Sequence, residues 1–230
     1  MNSSYASNLS YVKQLIARAA ESCGRNGDEI TLMAVSKTHS IEAINAMAGC
    51  GQMLFGENRI QEIEKKFDTD SRSFSLHMIG HLQSNKVKKA VALVDSIDSV
   101  DSLKLARLIG KAALHNGKTI DILIEYNTSK EESKSGFLNE DEYYSFLDEV
   151  GSIEGIRVKG LMTIGPLSPD EKATHEAFAT LYRLQQRSIQ RHPELDFGVL
   201  SMGMSQDFVI AIQEGSTMVR IGTALFGKRE

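Results

Sequence analysis

From residue 30 onward the chain alternates short runs rich in Val, Ile, Leu and Phe with longer amphipathic stretches, and it does so eight times. An apolar run bounded by turn signals reads as a strand buried on both faces, and an amphipathic stretch between two such runs reads as a crossover helix covering a parallel sheet. The strand-like runs fall at about 30–36, 53–56, 74–79, 94–98, 119–126, 155–164, 197–201 and 217–221, with helical stretches near 40–49, 58–67, 84–92, 101–115, 140–150, 170–190 and 205–213. Eight repeats, three prolines and no Ser/Gly-rich linker favour closure over an open doubly wound sheet. The expectation is an α/β chain of residues 1–230 forming a single (β/α)8 TIM barrel domain.

Ahead of the first strand, Leu9, Val12, Leu15, Ile16, Ala19 and Ala20 share one helical face, with Ser7 or Asn8 placed to cap its start and Cys23-Gly24 to end it. The segment Met1 to Ala20 carries Lys13, Arg18 and several serines but no acid, a faint likeness to a transit peptide that the helical pattern outweighs. A formal charge of −4 argues against general attraction to nucleic acid or to an anionic membrane. No apolar run approaches the roughly 18 residues of a membrane span. Cys23 and Cys50 form no C-x-x-C pair and no metal set with neighbouring histidines. These features suit a reducing, cytoplasmic setting.

Barrels of this kind place their chemistry at the C-terminal strand ends and their phosphate sites after the seventh and eighth strands. Lys37 closes the first strand-like run, Ser201-Met-Gly-Met-Ser205 follows the seventh, and Gly222-Thr223 follows the eighth. A lysine amine condenses with an aldehyde when burial or nearby positive charge lowers its pKa, and glycine turns offer backbone N–H groups to a phosphate. The ligand carrying both groups is pyridoxal phosphate. Ser201 and Thr223 offer hydroxyls, Gly203 and Gly222 allow close backbone approach, and Ser205 stands where it would cap the next helix. Arg220 interrupts the apolar run Met218-Val-Arg-Ile221 and needs a partner. That partner is either a carboxylate such as Glu57 or Glu62, or the ring nitrogen of the cofactor, which a permanently charged donor would keep unprotonated and so a weaker electron sink.

The runs Val35-Ser-Lys-Thr38, Phe55-Gly-Glu-Asn-Arg59 with Gln61-Glu62, His77-Met-Ile-Gly-His-Leu-Gln-Ser-Asn-Lys86, Gly160-Leu-Met-Thr163, Leu200-Ser-Met-Gly-Met-Ser205 and Val219-Arg-Ile-Gly-Thr223 together resemble the pyridoxal phosphate homeostasis protein family, from about residue 8 to 227. That family is similar to the barrel half of the alanine racemases. The resemblance implies Lys37 as the residue carrying pyridoxal phosphate as an internal aldimine, Arg220 beside the ring nitrogen, and Ser201, Gly222 and Thr223 at the phosphate with Gly203 helping through its turn. It also implies Asn58, Ile79 and Met162 around the ring. Lys134-Ser-Gly136 matches a family motif without an assigned role, and Tyr126 stands where an aliphatic residue is expected. The implied function is vitamin B6 homeostasis and amino-acid balance without turnover, with PLP-dependent apoenzymes as candidate recipients of the cofactor; a chain lacking the racemases' β domain, and with it a large dimer surface, is further expected to be a monomer.

A racemase needs a second acid–base group opposite the lysine, which alanine racemases draw from a C-terminal β domain. This chain ends within ten residues of its last strand-like run, so that domain is expected to be missing. Three other readings remain: a small racemase using Tyr126 or a bound water as second base, a class I aldolase-like barrel with Lys159 as the imine lysine, and a barrel serving only as an interaction scaffold. His77 and His81 bracket a strand end, so a structural hydrogen-bonding role for His77 is favoured over a zinc pair. Lys86, Lys88 and Lys89 read as a solvated helix face, and Glu131-Glu132 and Glu140-Asp141-Glu142 as loop and helix-start charge.

Overall fold

The computed structural model describes residues 2–67, 72–167 and 170–227. Strands β1 (Thr31–Val35), β2 (Leu54–Glu57), β3 (Ser75–Met78), β4 (Ser96–Val100), β5 (Ile120–Glu125), β6 (Ile156–Met162), β7 (Val199–Ser201) and β8 (Met218–Ile221) pair in sequence order into a closed barrel. Every pairing is parallel, and β1 closes on β8 with Thr31 opposite Met218 and Ala34 opposite Ile221. The crossovers carry helices α2 (Ile41–Gly49), α3 (Ile60–Lys66), α4 (Val87–Leu93), α5 (Leu103–His115), α6 (Glu140–Val150), α7 (Glu171–Arg191) and α8 (Phe208–Gln213), and α1 (Asn2–Ser22) precedes β1 while α9 (Thr223–Phe226) follows β8. This is the expected (β/α)8 barrel with its additional N-terminal helix.

Strand residues alternate between two environments, as the period of two requires. Leu32, Ala34, Phe55, Leu76, Ile97, Ile122, Ile124, Leu161, Leu200, Val219 and Ile221 belong to the large core between sheet and helices, while Met33, Val35, Ile79 and Met218 form a small separate cluster inside the barrel. Gly56 makes room for that inner cluster, since a Cβ there would lie 2.6 Å from the Met33 sulfur. The helices start where side chains satisfy their free N–H groups. Ser102 Oγ accepts from Leu105 N at 3.3 Å at the head of α5, and Asn139 Oδ1 accepts from Glu142 N at 2.9 Å at the head of α6. Glu140, Asp141 and Glu142 occupy the first turn of α6, where the helix dipole favours negative charge.

Two sequence expectations about helix starts are corrected. Helix α1 begins at Asn2, so neither Ser7 nor Asn8 caps it; Asn8 Nδ2 instead donates to Leu225 O at 2.9 Å and ties α1 to α9. Helix α8 begins at Phe208 with Asp207 at its N-cap position, not near Ser205, because Asp207 Oδ1 accepts from Met204 N at 2.5 Å and closes a turn over residues 204–207.

Candidate functional site

A cavity of about 710 Å³ opens at the C-terminal ends of β1, β6, β7 and β8. Lys37, Arg220, Gly222 and Thr223 line it, together with His39, Ser205, Gln206 and Asp207. Closure of β8 on β1 brings these distant segments together: a Cβ on Gly222 would lie 3.3 Å from the Val35 carbonyl oxygen. Ser201 lies one layer deeper, fully buried, with its hydroxyl accepting from Arg220 Nη1 at 2.7 Å. Gly203, at φ 97, accepts from Arg220 N at 2.9 Å through its carbonyl, and a Cβ there would meet Ala211 at 2.6 Å. Ile79 belongs to the inner cluster with Met33 and Val35, and Met162 is buried beside Ser201 and Glu125 in register. Asn58 lines a neighbouring cavity of about 520 Å³ with Arg59, Lys65, His81 and Lys86, apart from the lysine-bearing one.

Arg220 is 4% exposed, and its second amino group donates to Thr163 O at 2.7 Å. Burial pulls the guanidinium below its ordinary pKa, against the opposing influence of Asp98, Asp207 and Glu125. Glu57 and Glu62, offered by the sequence as its carboxylate partners, lie elsewhere: both pair with Lys66, at 2.9 and 3.0 Å. Lys66 also donates to Ser36 O at 3.2 Å, and Ser36 Oγ donates to Glu57 Oε1 at 2.8 Å. Glu62 Oε2 accepts from Thr38 N at 2.8 Å. Thr38 stands at φ 68, a left-handed conformation that is strained for a β-branched residue. The residues flanking Lys37 on both sides are thus held by one charge network built from β2 and α3.

Tyr126 does not border the cavity. Ile120, Ile122, Ile124 and Tyr126 share the outer face of the β5 segment, and the Tyr126 ring packs edge-on against Tyr143 of α6 with centroids 5.7 Å apart. Burial also raises its phenol pKa. The racemase reading therefore loses Tyr126 as its second base. Lys159 pairs with Asp196 as a peripheral charge, which removes support from the aldolase-like reading. His77 Nδ1 lies 3.0 Å from Asp98 Oδ2, and Ser96 Oγ donates to Asp98 Oδ1 at 2.6 Å, a structural hydrogen-bonding arrangement inside the barrel. Burial alone would lower the His77 pKa, but Asp98, aided by Asp95 and Asp121, holds it above its ordinary value. No group of three metal-ligating side chains occurs among the described residues. Lys134, left without a role by the sequence, donates to Glu131 Oε1 at 2.6 Å and to Gly165 O at 2.9 Å, bracing the loop after β5 against the loop after β6.

Sequence reasoning missed the Glu57–Lys66–Glu62 network, Asp207 and Glu125. Glu125 ends β5 in the apolar run Ile122-Leu-Ile-Glu125, and the signal that singled out Arg220, a charge inside an apolar strand, applies to it equally. The cavity suits a small aldehyde bearing a phosphate: its volume falls within the usual range for small-ligand sites, and it combines an amine, a glycine–threonine turn and a buried cation with hydrogen bonds to spare. A buried carboxyl oxygen of Glu125 with no partner among the described residues adds a polar group that the protein leaves unsatisfied.

The alanine racemase N-terminal domain model matches residues 8–230. Among curated proteins, the pyridoxal phosphate homeostasis proteins of Vibrio cholerae and Aquifex aeolicus are 38% and 40% identical to the chain, over 97% and 96% of its length and 95% and 97% of theirs. Among solved structures, PipY of Synechococcus elongatus with PLP bound superposes with a TM-score of 0.81 at 35% identity, covering 92% of this chain and all of that one. Full-length matches of this kind place the chain in the pyridoxal phosphate homeostasis protein family.

Proposed function

We propose that this protein binds pyridoxal 5'-phosphate in the cavity at the barrel mouth and serves vitamin B6 homeostasis, working as one barrel domain. The observation that carries the reading is the convergence of Lys37, Arg220, Gly222 and Thr223 on one cavity from opposite ends of the sequence. When bound, the cofactor would supply an aldehyde able to condense with a lysine amine with loss of water. Lys37 provides that amine, and the clamp on Ser36 and Thr38 fixes its direction. Arg220, a permanent cation already holding Ser201 and Thr163, would have its remaining N–H groups for the ring nitrogen and would disfavour a proton there. The Gly222–Thr223 turn and the Ser201 hydroxyl would hold the phosphate, and Gly203 holds the adjoining turn by accepting from Arg220 N. Ile79 and Met162 supply apolar surface to the ring.

The same arrangement supports binding without turnover. A racemase must exchange a proton on each face of a carbon. Tyr126 turns outward, Asp207 is tied to Met204 N, and the His39 ring stacks on Phe226 at 4.5 Å. An assay of α-proton exchange in D2O checks this: amino acids are expected to exchange no faster with the protein than with free cofactor, and faster exchange would restore the racemase reading. Binding itself is tested by the visible spectrum. The protein with added pyridoxal phosphate should be yellow, and Lys37→Ala should lose the band while keeping its fold by circular dichroism. A Lys37→Ala protein that keeps the band would refute the assignment.

A further inference from the structure

Glu125 is the last residue of β5, and it lies opposite Met162 of β6, which lies opposite Ser201 of β7. Directly paired residues of parallel strands point to the same face. Since Ser201 reaches inward to Arg220, the Glu125 side chain also points into the barrel, on the face opposite its neighbours Ile124 and Tyr126 in the outer core. The residue is 4% exposed, and its Oε2 has no hydrogen-bond partner among the described residues. An unsatisfied buried carboxylate is costly, and the native structures that keep such a group generally have a use for it.

We infer that Glu125 is a further residue of the cofactor site, a carboxyl group that binds in its protonated form and donates a hydrogen bond to an anionic oxygen of the bound ligand. This rests on the reading of the cavity as a pyridoxal phosphate site. The charged groups acting on Glu125 are Asp101, just after β4, and Arg220 on β8; its β6 neighbours Met162 and Thr163 carry no charge. Burial is the largest influence, Asp101 adds to it and Arg220 opposes it, leaving the carboxyl pushed up to about 7. The group therefore gains and loses its proton around neutral pH. A ligand bearing negative phosphate and phenolate oxygens disfavours the ionised form further, so binding is accompanied by proton uptake at Glu125. Affinity through this residue should fall as pH rises above about 7, by at most about tenfold per pH unit for a single proton.

The test is a titration of the apoprotein with pyridoxal phosphate, followed by the visible band, at several values between about pH 6 and pH 8.5, for the unmodified protein and for Glu125→Gln and Glu125→Leu. Because the cofactor titrates too, the quantity read is the ratio of the unmodified Kd to the Gln variant's Kd. The inference expects that ratio to rise about tenfold across the range, because Gln keeps a donor and cannot ionise. It also expects Glu125→Leu to bind the cofactor at least tenfold more weakly at about pH 6 while gaining thermal stability. A flat ratio, or a Leu variant that binds as tightly as the unmodified protein, overturns the inference but leaves the cofactor site standing. Absence of any cofactor binding by the unmodified protein overturns the site and the inference together.

Discussion

At Lys66 three oxygens meet one ammonium: the Ser36 carbonyl and the carboxylates of Glu57 and Glu62. Glu57 is fully buried, and burial raises its pKa against the bonds from Lys66 and Ser36; its second oxygen has no partner among the described residues. Removing the cation leaves that carboxylate stranded. Lys66→Met should therefore cost about 3–5 kcal/mol of stability, the usual toll for breaking a buried pair from one side. It should also weaken pyridoxal phosphate binding, because Thr38 loses the carboxylate geometry that holds it at φ 68. Urea unfolding and a cofactor titration on the same variant check both effects, and unchanged affinity would show that the clamp does not position Lys37. Sequence indicated Lys37 and Arg220 because each is a charge at a telling place in a strand, and it missed this clamp because the contacts run between β1, β2 and α3 in a pattern no local spacing reports. It offered Glu57 or Glu62 as one of two alternative partners for Arg220, and both carboxylates pair with Lys66 instead.

The elements themselves were legible because strands buried on both faces leave continuous apolar runs, and all eight lie within a few residues of their expected places. What the runs do not show is where a strand leaves its register. At Gly160, with φ 150, a Cβ would lie 1.8 Å from the Val199 carbonyl oxygen, and the β5–β6 register shifts nearby between Ile122 and Leu123. Gly160→Ala should force β6 away from β7 and destabilise the protein by several kcal/mol, roughly what overpacking and backbone strain together cost. Thermal unfolding checks this, and a Tm within about 2 °C of the unmodified protein would contradict it. The β3–β4 contact carries a pH signature as well. The His77 pKa is raised in the folded barrel by Asp98, so its contribution is complete below the unfolded value of about 6.5 and is lost as pH rises through the folded value. Stability measured by denaturant should fall over that window, and His77→Gln should flatten the fall; an unchanged slope in the variant would exclude His77 as its source.

The whole molecule is organised by one closure, since pairing β1 with β8 converts a lysine near residue 40 and a turn near residue 220 into neighbours across one cavity. The eightfold rhythm made that neighbourhood predictable, whereas strand order does not fix how far each side chain reaches, and Asn58 lines the adjoining cavity. The closure also brings Lys37 and Arg220 to one cavity, with Lys159 paired to Asp196 outside it. Borohydride reduction of the protein with bound pyridoxal phosphate, followed by proteolysis and mass spectrometry, tests this most directly. The expected result is a single reduced pyridoxyl-phosphate adduct on the peptide containing Lys37, whereas an adduct confined to another lysine, or no adduct after demonstrated binding, would contradict the account.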